Sequence, residues 1–574
     1  MSKVTIKINN IPLEVEKGTR IIDAARLLNI DIPHLCYHPD QTAKAHCRLC
    51  MVEVAGQRKL QASCTALATE GMEVLTDTKK VYDAQVGVLE MILADHKQNC
   101  LMCARNGSCE LQKLCQRFNL LVPDLPSVSK NEPIRVTNPS IVRDPSKCVK
   151  CGRCVKVCAD VQGVSAIAYS GRSADFSITT AFDAPLDETD CVLCGQCSLV
   201  CPVGAIVETD NTADVWRAIH DKSKHVIVQV APSVRVSLGD QFGMEPGELV
   251  TGKMVTALKL LGFEKVFDTN FAADLTIMEE ASELLSRIQT GGTLPLVTSC
   301  SSGWVNYAEK HHPELLPHLS TAKSPQGMFG AVVKTYYAEK TGIDPKDIVS
   351  VSVMPCTAKK FEATRPELGR DGYRDVDVVL TTRELAKLIH YEGVDLINAP
   401  ESEFDSPLGT GSGAGAIFGV TGGVMEAALR TAYEKLTGKT LARLDFETVR
   451  GFDGIKESTV DLDGTPVRVA VAHGLKNADE LIRRVKSGEA NYTFVEIMAC
   501  PGGCIGGGGQ PIGTTNAVRR RRIKALYALD QSLPLRKSHE NPDVQALYRD
   551  YFHEPLSHRA HELLHTSYKR RETR

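Results

Sequence analysis

Twenty cysteines in a chain of 574 residues constrain its fold more than any other feature, because of how they are spaced. Cys148, Cys151, Cys154, Cys158 and then Cys191, Cys194, Cys197, Cys201 each follow C-x2-C-x2-C-x3-C, the second run closing on Pro202. In that pattern three cysteines hold one iron-sulfur cubane and the fourth reaches across to the other. The expected pairing is Cys148, Cys151 and Cys154 with Cys201, and Cys191, Cys194 and Cys197 with Cys158. Tight C-x-x-C sets in a long chain with no apolar leader indicate metal rather than disulfides.

The residues ahead of these runs add two further sets. Residues 3–14 alternate apolar and polar about Asn9-Asn10, which predicts a hairpin, and residues 21–28 carry a helical pattern. Cys36, Cys47, Cys50 and Cys64 follow, two close cysteines with a distant partner on either side. Zinc is the competing reading of that set. It resembles the [2Fe-2S] domain of the NADH dehydrogenase large iron-sulfur subunit and of long iron-only hydrogenases, and the hairpin and helix favour iron. His96, Cys100, Cys103 and Cys109 lie in a segment, 80–121, read as largely helical, where His96 and Cys100 are expected to share one helix face. This set resembles the single-histidine [4Fe-4S] site of the same two families. Neutral imidazole gives such a cluster less negative charge and a shifted potential. Cys115 falls outside the pattern and reads as a structural or spare thiol. Up to residue 209 the chain is thus a wire, with no flavin or nucleotide motif between its clusters.

Beyond it, apolar strands (225–230, 376–380) alternate with helices (281–288, 383–390, 424–436), an α/β pattern. Three apolar strands end in cysteine: 294–300 at Cys300, 348–356 at Cys356, and 494–498 just before Cys500 and Cys504. Ligands of an open α/β sheet gather outside the carboxyl ends of its strands, so one sheet and one shared metal site are expected. Gly506 to Gly509 lets backbone crowd against whatever those thiolates hold. The glycines of 409–423 make a weak nucleotide signal, with no clear strand before them and no Walker lysine after. The basic run 519–524 reads as an exposed helix start and 569–574 as a solvated tail.

Net charge of −3 gives no electrostatic reason to propose nucleic acid, and no run is long and uncharged enough to span a bilayer. A soluble cytoplasmic monomer is the expectation. Its fold class is multidomain, α+β and α/β: a β-grasp, ferredoxin-like [2Fe-2S] domain at 1–79, a His/Cys3 [4Fe-4S] domain at 80–126, a two-cubane ferredoxin domain at 127–209, a catalytic domain at 210–535 and a small-subunit-like segment at 536–574.

The loops VTSCSSGW (297–304), MPCTAKKFEA (354–363) and MACPGGCIGGGGQP (498–511) resemble the three signature motifs of [FeFe] hydrogenases, and the resemblance extends over essentially the whole chain. It implies an H-cluster, a cubane joined through one thiolate to a two-iron unit bearing carbon monoxide, cyanide and an azadithiolate, beside three accessory [4Fe-4S] clusters and one [2Fe-2S]. By the same resemblance Cys356, Cys500 and Cys504 ligate the cubane, with Cys504 as bridge, and Lys359 hydrogen-bonds a cyanide. Pro232, Ser233, Gln326, Met354, Phe418 and Met498 would line the pocket. Cys300, Glu280, Ser320, Glu283 and Arg287 would carry protons. Spacing alone shows only that Glu280, Glu283 and Arg287 share a helix face, which a solvated salt-bridged face would also do.

One position departs from the family loop, which reads T-S-C-C-P: here Ser301 follows Cys300 where the fourth cubane cysteine stands. Serine could bind iron as a harder alkoxide ligand, Cys300 could swing in, or the cubane could keep an open iron. The first preserves the register with Trp304 and is the reading adopted. The implied activity is 2H+ + 2e− giving H2, with ferredoxin or flavodoxin as electron partner and maturation proteins supplying the two-iron unit. The rivals are a hydrogen sensor, which Ser301 keeps open, a non-catalytic electron-transfer subunit, and an iron-sulfur assembly factor; the last two lack a use for the catalytic loops or for the wire.

Overall fold

The computed structural model describes residues 2–120, 124–462 and 464–572, with the side chains of 462 and 465 also left aside; the final residue of the helical segment read to 121 and the last two of the basic tail lie outside it. The hairpin forms where its alternation places it. Strands Lys3–Ile8 and Ile11–Glu16 pair antiparallel from Lys3↔Glu16 to Ile8↔Ile11, and Asn9 and Asn10 take the left-handed φ of 47° and 65° that a two-residue turn requires. The hairpin joins Glu73–Leu75, Met51–Val54 and Gln61–Ala62 in a five-stranded sheet, over which helix Ile21–Leu27 buries Ile21, Ile22, Ala24 and Ala25.

The helical reading of 80–121 holds only at its two ends. Helix Lys79–Ala94, capped by Thr78 accepting from the Val81 N–H, stops before His96, and the next helix is Glu110–Arg117. Cys100 sits in a short 3-10 turn, Cys100–Met102. His96 and Cys100 therefore share a loop and not a helix face, because the sequence between Asp95 and Ser108 is polar and has no apolar stripe to bury. Strands Ile141–Arg143 and Ile206–Glu208 pair antiparallel and so clasp the two cysteine runs between them.

The second half holds two four-stranded sheets where one was expected. The first is wholly parallel, in the order Lys265–Asp268, His225–Val230, Ile348–Met354, Val378–Thr381. The second runs Leu296–Val297, Phe494–Met498, Thr465–His473, Ile455–Leu462, its last pair an antiparallel hairpin. The strand before Cys300 is only two residues long and forms the sheet edge, while Phe494–Met498 pairs on its other side with Thr465–His473, a partner the cysteine pattern gave no reason to seek.

Helix Thr269–Thr290 stands in the core between the sheets, buried at nearly every position from Thr269 to Leu284. It packs against Pro325–Val332, Gly413–Ile417 and Gly423–Thr437. The glycines of 409–423 serve that packing: a Cβ at Gly411 would lie 2.3 Å from the Asn270 Cβ, and one at Gly415 would lie 2.6 Å from its carbonyl oxygen. Helices Pro542–Leu547 and His558–Leu564 lie over the same core.

Both basic runs are less exposed than their composition suggests. In helix Asn516–Ser532, Arg519 pairs with Asp40 at 3.2 Å and Arg522 with Asp240 at 2.6 Å, both arginines buried. In the tail, Arg571 donates to Asn306 Oδ1 at 3.2 Å and lies over the Phe361 ring. Charge periodicity could not reveal these partners, since Asp40, Asp240 and Asn306 are hundreds of residues away.

Candidate metal centre and its electron and proton connections

The two sheets present their cysteine-bearing ends to one apolar cavity. It is lined by Cys300, Ser301, Cys356, Cys500 and Cys504, with Pro232, Gln326, Met354, Lys359, Phe418 and Met498 completing the wall. Ser233 is buried behind it and is within 3.4 Å of Gln510 Nε2 instead. Burial holds the thiols protonated: Cys504 is pushed up to about 12, and Cys300, Cys356 and Cys500 are raised as well. Such thiols become thiolates only when a cation replaces the proton.

The loop that carries two of them has no room for side chains. A Cβ at Gly507 would sit 2.1 Å from the Pro355 oxygen, and one at Gly509 would sit 3.0 Å from the Cys356 nitrogen. Gly503, at φ 93°, lies against Thr421. A convergent set of soft donors in a dry, backbone-tight pocket suits an iron-sulfur group.

Ser301 occupies the junction between the sheets. Its Oγ accepts the Ala499 N–H at 3.1 Å and it precedes helix Ser302–His311, whose Trp304 donates to the Thr298 carbonyl at 3.1 Å. Lys359 reaches the Cys300 carbonyl at 3.1 Å and both oxygens of Glu362 at 2.9 Å. Glu362 also accepts from Ser302, Ser324 and Gln326.

Cys194 lines this cavity too, a placement the ferredoxin-like spacing did not suggest. Three contacts weld its loop to the catalytic loops: Gln196 Nε2 donates to Gly506 O at 2.8 Å, Thr357 Oγ1 to Leu193 O at 2.7 Å, and a Cβ on Gly508 would lie 2.2 Å from the Cys194 oxygen. Behind Cys194, Cys158 and Cys191 act electrostatically on Cys197, and Cys148, Cys151, Cys154 and Cys201 line one further cavity. His96, Cys100, Cys103, Cys109 and Cys115 line another. In the amino-terminal sheet domain the thiols of Cys36 and Cys47, and of Cys50 and Cys64, are hydrogen-bonded in pairs.

On the other side of the cavity a polar chain leads outward along helix Thr269–Thr290. Glu280 is wholly buried, its Oε2 has no partner among the described residues, and its charge acts on Cys300. Burial first, and the Glu283 carboxylate second, push its carboxyl up to about 8. Ser320 Oγ donates to Glu283 at 3.0 Å, and Arg287 pairs with Glu283 at 2.6 Å. The shared helix face is thus a buried chain and not a solvated one.

These features fit an iron-sulfur redox enzyme in which the second cysteine run and a buried polar chain both border one cavity. The chain matches the model "Iron only hydrogenase large subunit, C-terminal domain" over residues 224–508 and "Iron hydrogenase small subunit" over 516–571. Ahead of them it matches a 2Fe-2S binding domain over 1–79, the iron-sulfur binding region of NADH-ubiquinone oxidoreductase G over 85–122, and a 4Fe-4S dicluster domain over 147–205. It is 48% identical to "NADP-reducing hydrogenase subunit HndD" of Solidesulfovibrio fructosivorans over 100% of both chains. It is 42% identical to "Iron hydrogenase 1" of Clostridium pasteurianum over 99% of this chain and 100% of that one. A solved structure concerned with stepwise [FeFe]-hydrogenase H-cluster assembly in HydA(deltaEFG) is 48% identical, covers 63% of this chain and 99% of its own, and superposes with a TM-score of 0.57.

The chain belongs to the iron-only, or [FeFe], hydrogenases. It is an oxidoreductase acting on hydrogen, with [2Fe-2S] and [4Fe-4S] clusters and the H-cluster of that family.

Proposed function

We propose that this hydrogenase reduces protons reversibly with electrons from ferredoxin or flavodoxin, passed along three accessory [4Fe-4S] clusters and one [2Fe-2S] to the cavity between the two sheets. The observation that carries this reading is the single cavity that Cys194 shares with Cys300, Ser301, Cys356, Cys500 and Cys504. Cys356, Cys500 and Cys504 would hold the cubane, Cys504 also bridging to the two-iron unit that maturation proteins install. When bound, that group supplies an open iron site with an amine beside it, so that hydrogen chemistry becomes local acid-base transfer to a metal.

This chain's own residues do the rest. Pro232, Gln326, Met354, Phe418 and Met498 exclude water, with Ser233 supporting the wall from behind. The Lys359 ammonium, anchored on Glu362, presents a cation to a negatively charged ligand. Cys300 exchanges the proton with Glu280, whose carboxyl near 8 holds a proton at neutral pH and yet can release it. Ser320, Glu283 and Arg287 continue that route toward solvent.

Ser301 is the fourth ligand in this reading: its Oγ, fixed by the Ala499 N–H, faces the same cavity while Cys300 stays on the Glu280 side. The domain limits drawn above, a cytoplasmic location and a monomeric state complete the proposal. Among the described residues no helix is long and apolar enough to cross a membrane.

The test is hydrogen evolution from reduced methyl viologen by anaerobically prepared, fully loaded protein, beside its Ser301→Cys variant. Turnover by both is expected, with a changed rate in the variant. Turnover by the variant alone would turn the reading toward a hydrogen sensor, which Ser301 keeps open. Silence from both, with the cofactor loaded, would sink it.

A further inference from the structure

Cys115 has no place in the ligand pattern of the amino-terminal clusters, yet it lies in the wall of one of their cavities. The cavity of the His/Cys3 set is lined by His96, Cys100, Cys103 and Cys109 together with Cys115 and Lys147. A cubane needs four protein donors, and this cavity offers five.

Local geometry explains how the fifth arrives. Helix Glu110–Arg117 starts immediately after Cys109. Leu111 and Cys115 are one turn apart on it, both facing the cavity, and Leu111 is fully buried.

The site is built for a ligand. His96 is 94% buried, since its residual exposure is 6%, and its Nδ1 has no partner among the described residues. Gly204 lets the Cys103 sulfur pack directly on backbone, since a Cβ there would come 2.5 Å from it. Lys147, 2% exposed, lies on the wall with its ammonium on the Lys97 carbonyl at 2.8 Å. That cation would offset an extra thiolate.

We propose that Cys115 is an alternative fourth ligand of the His/Cys3 cluster, so that the corner held by His96 can be closed instead by the Cys115 thiolate. The exchange involves no electron: the iron–imidazole bond breaks, an iron–sulfur bond forms, and the Cys115 thiol proton is released. The cluster then carries one more negative charge, and its reduction potential falls. The first half of the wire would thereby have two settings, one with a neutral donor and one with an anionic donor. This inference rests on the assignment of a [4Fe-4S] cluster to this cavity.

The experiment uses the full chain carrying its iron-sulfur clusters but no two-iron unit, so that all oxidised clusters are diamagnetic. His96→Ala, Cys115→Ser and the double variant are compared by iron content and by paramagnetic resonance in the oxidised state. In His96→Ala the expected result is unchanged iron per chain, no signal from a three-iron cluster, and a more negative potential for the cluster. Cys115→Ser is expected to keep the parent spectrum, which shows that the substitution is tolerated. The double variant is expected to lose iron and show the three-iron signal, or to lose the cluster. The proposal is overturned if His96→Ala alone already matches the double variant, or if Cys115→Ser alone loses the cluster, which would make the thiol obligatory. Failure of the underlying assignment reads differently: the parent chain itself would lack a cluster at this site.

Discussion

In residues 148–201 eight cysteines lie within 54 positions, in two runs whose spacing alone groups each set. The catalytic cavity is lined by Cys300, Ser301, Cys356, Cys500 and Cys504, on loops belonging to two different sheets. The first arrangement is local and closes over short loops, whose entropy cost is small. The second exists only after Ile348–Met354 and Phe494–Met498 have each found their own sheet and those sheets have packed about helix Thr269–Thr290. The catalytic site is therefore the part of the molecule most dependent on correct tertiary assembly, and the wire the part least dependent on it. Between them, Cys194 belongs to both, ligand run on one side and cavity wall on the other.

The sharpest way to break that comparison is Cys356→Ala. It removes one donor of the distributed set, so hydrogen evolution is expected to vanish while the iron-sulfur spectrum of residues 1–209 is retained. Loss of the accessory clusters as well would show that the wire does not assemble independently.

Glu280→Gln comes next, with hydrogen evolution expected to fall by about 10²–10⁴-fold because the buried carboxyl no longer passes a proton. Its stability signature has a definite sign. Burial pushes the folded carboxyl up to about 8 from its ordinary 4.5, so the folded chain binds the proton more tightly and stability falls as pH rises through that window. The glutamine variant lacks this slope. Melting curves at about pH 5 and about pH 8.5 should lie closer together for the variant than for the parent; an equal separation would mean that the carboxyl is not buried as described.

Gly508→Ala tests the junction. Its Cβ would meet the Cys194 oxygen at 2.2 Å and the Gly195 Cα at 2.6 Å, backbone atoms that cannot step aside. Forcing the two loops apart should lower ferredoxin-driven turnover by about 10²-fold, the usual consequence of misplacing a reacting group by about an ångström. Unchanged turnover would separate Cys194 from the catalytic cavity in function.

Thr78→Ala should have the smallest effect. It deletes the hydroxyl that caps helix Lys79–Ala94, a loss of about 1 kcal/mol. The effect should appear in amide exchange of that helix and leave the catalytic cavity untouched.

Local chemistry was legible in the residues. The turn at Asn9-Asn10, the strand Phe494–Met498 and the helix expected at 281–288 follow from alternation, apolar runs and periodicity, all of which act over a few residues; that helix begins earlier, at Thr269. The same reasoning failed where a partner was remote. It put His96 and Cys100 on a helix that ends at Ala94, and it exposed Arg519 and Arg522, whose carboxylates come from Asp40 and Asp240. It also treated Cys115 as a spare, since nothing in a C-x-x-C pattern shows which helix face will turn toward a cavity.

By itself the sequence determined which donors exist and how those in tight runs must group, because ligand geometry within a few residues is fixed by backbone reach. Only the tertiary structure decided that two sheets rather than one frame the catalytic cavity, that Cys194 borders it, and that Glu280 is buried with one oxygen unpartnered among the described residues. Burial and long-range pairing are properties of the packed chain: a carboxylate on a helix face has the same periodicity in water as in the core, and only its neighbours decide whether it holds its proton at neutral pH.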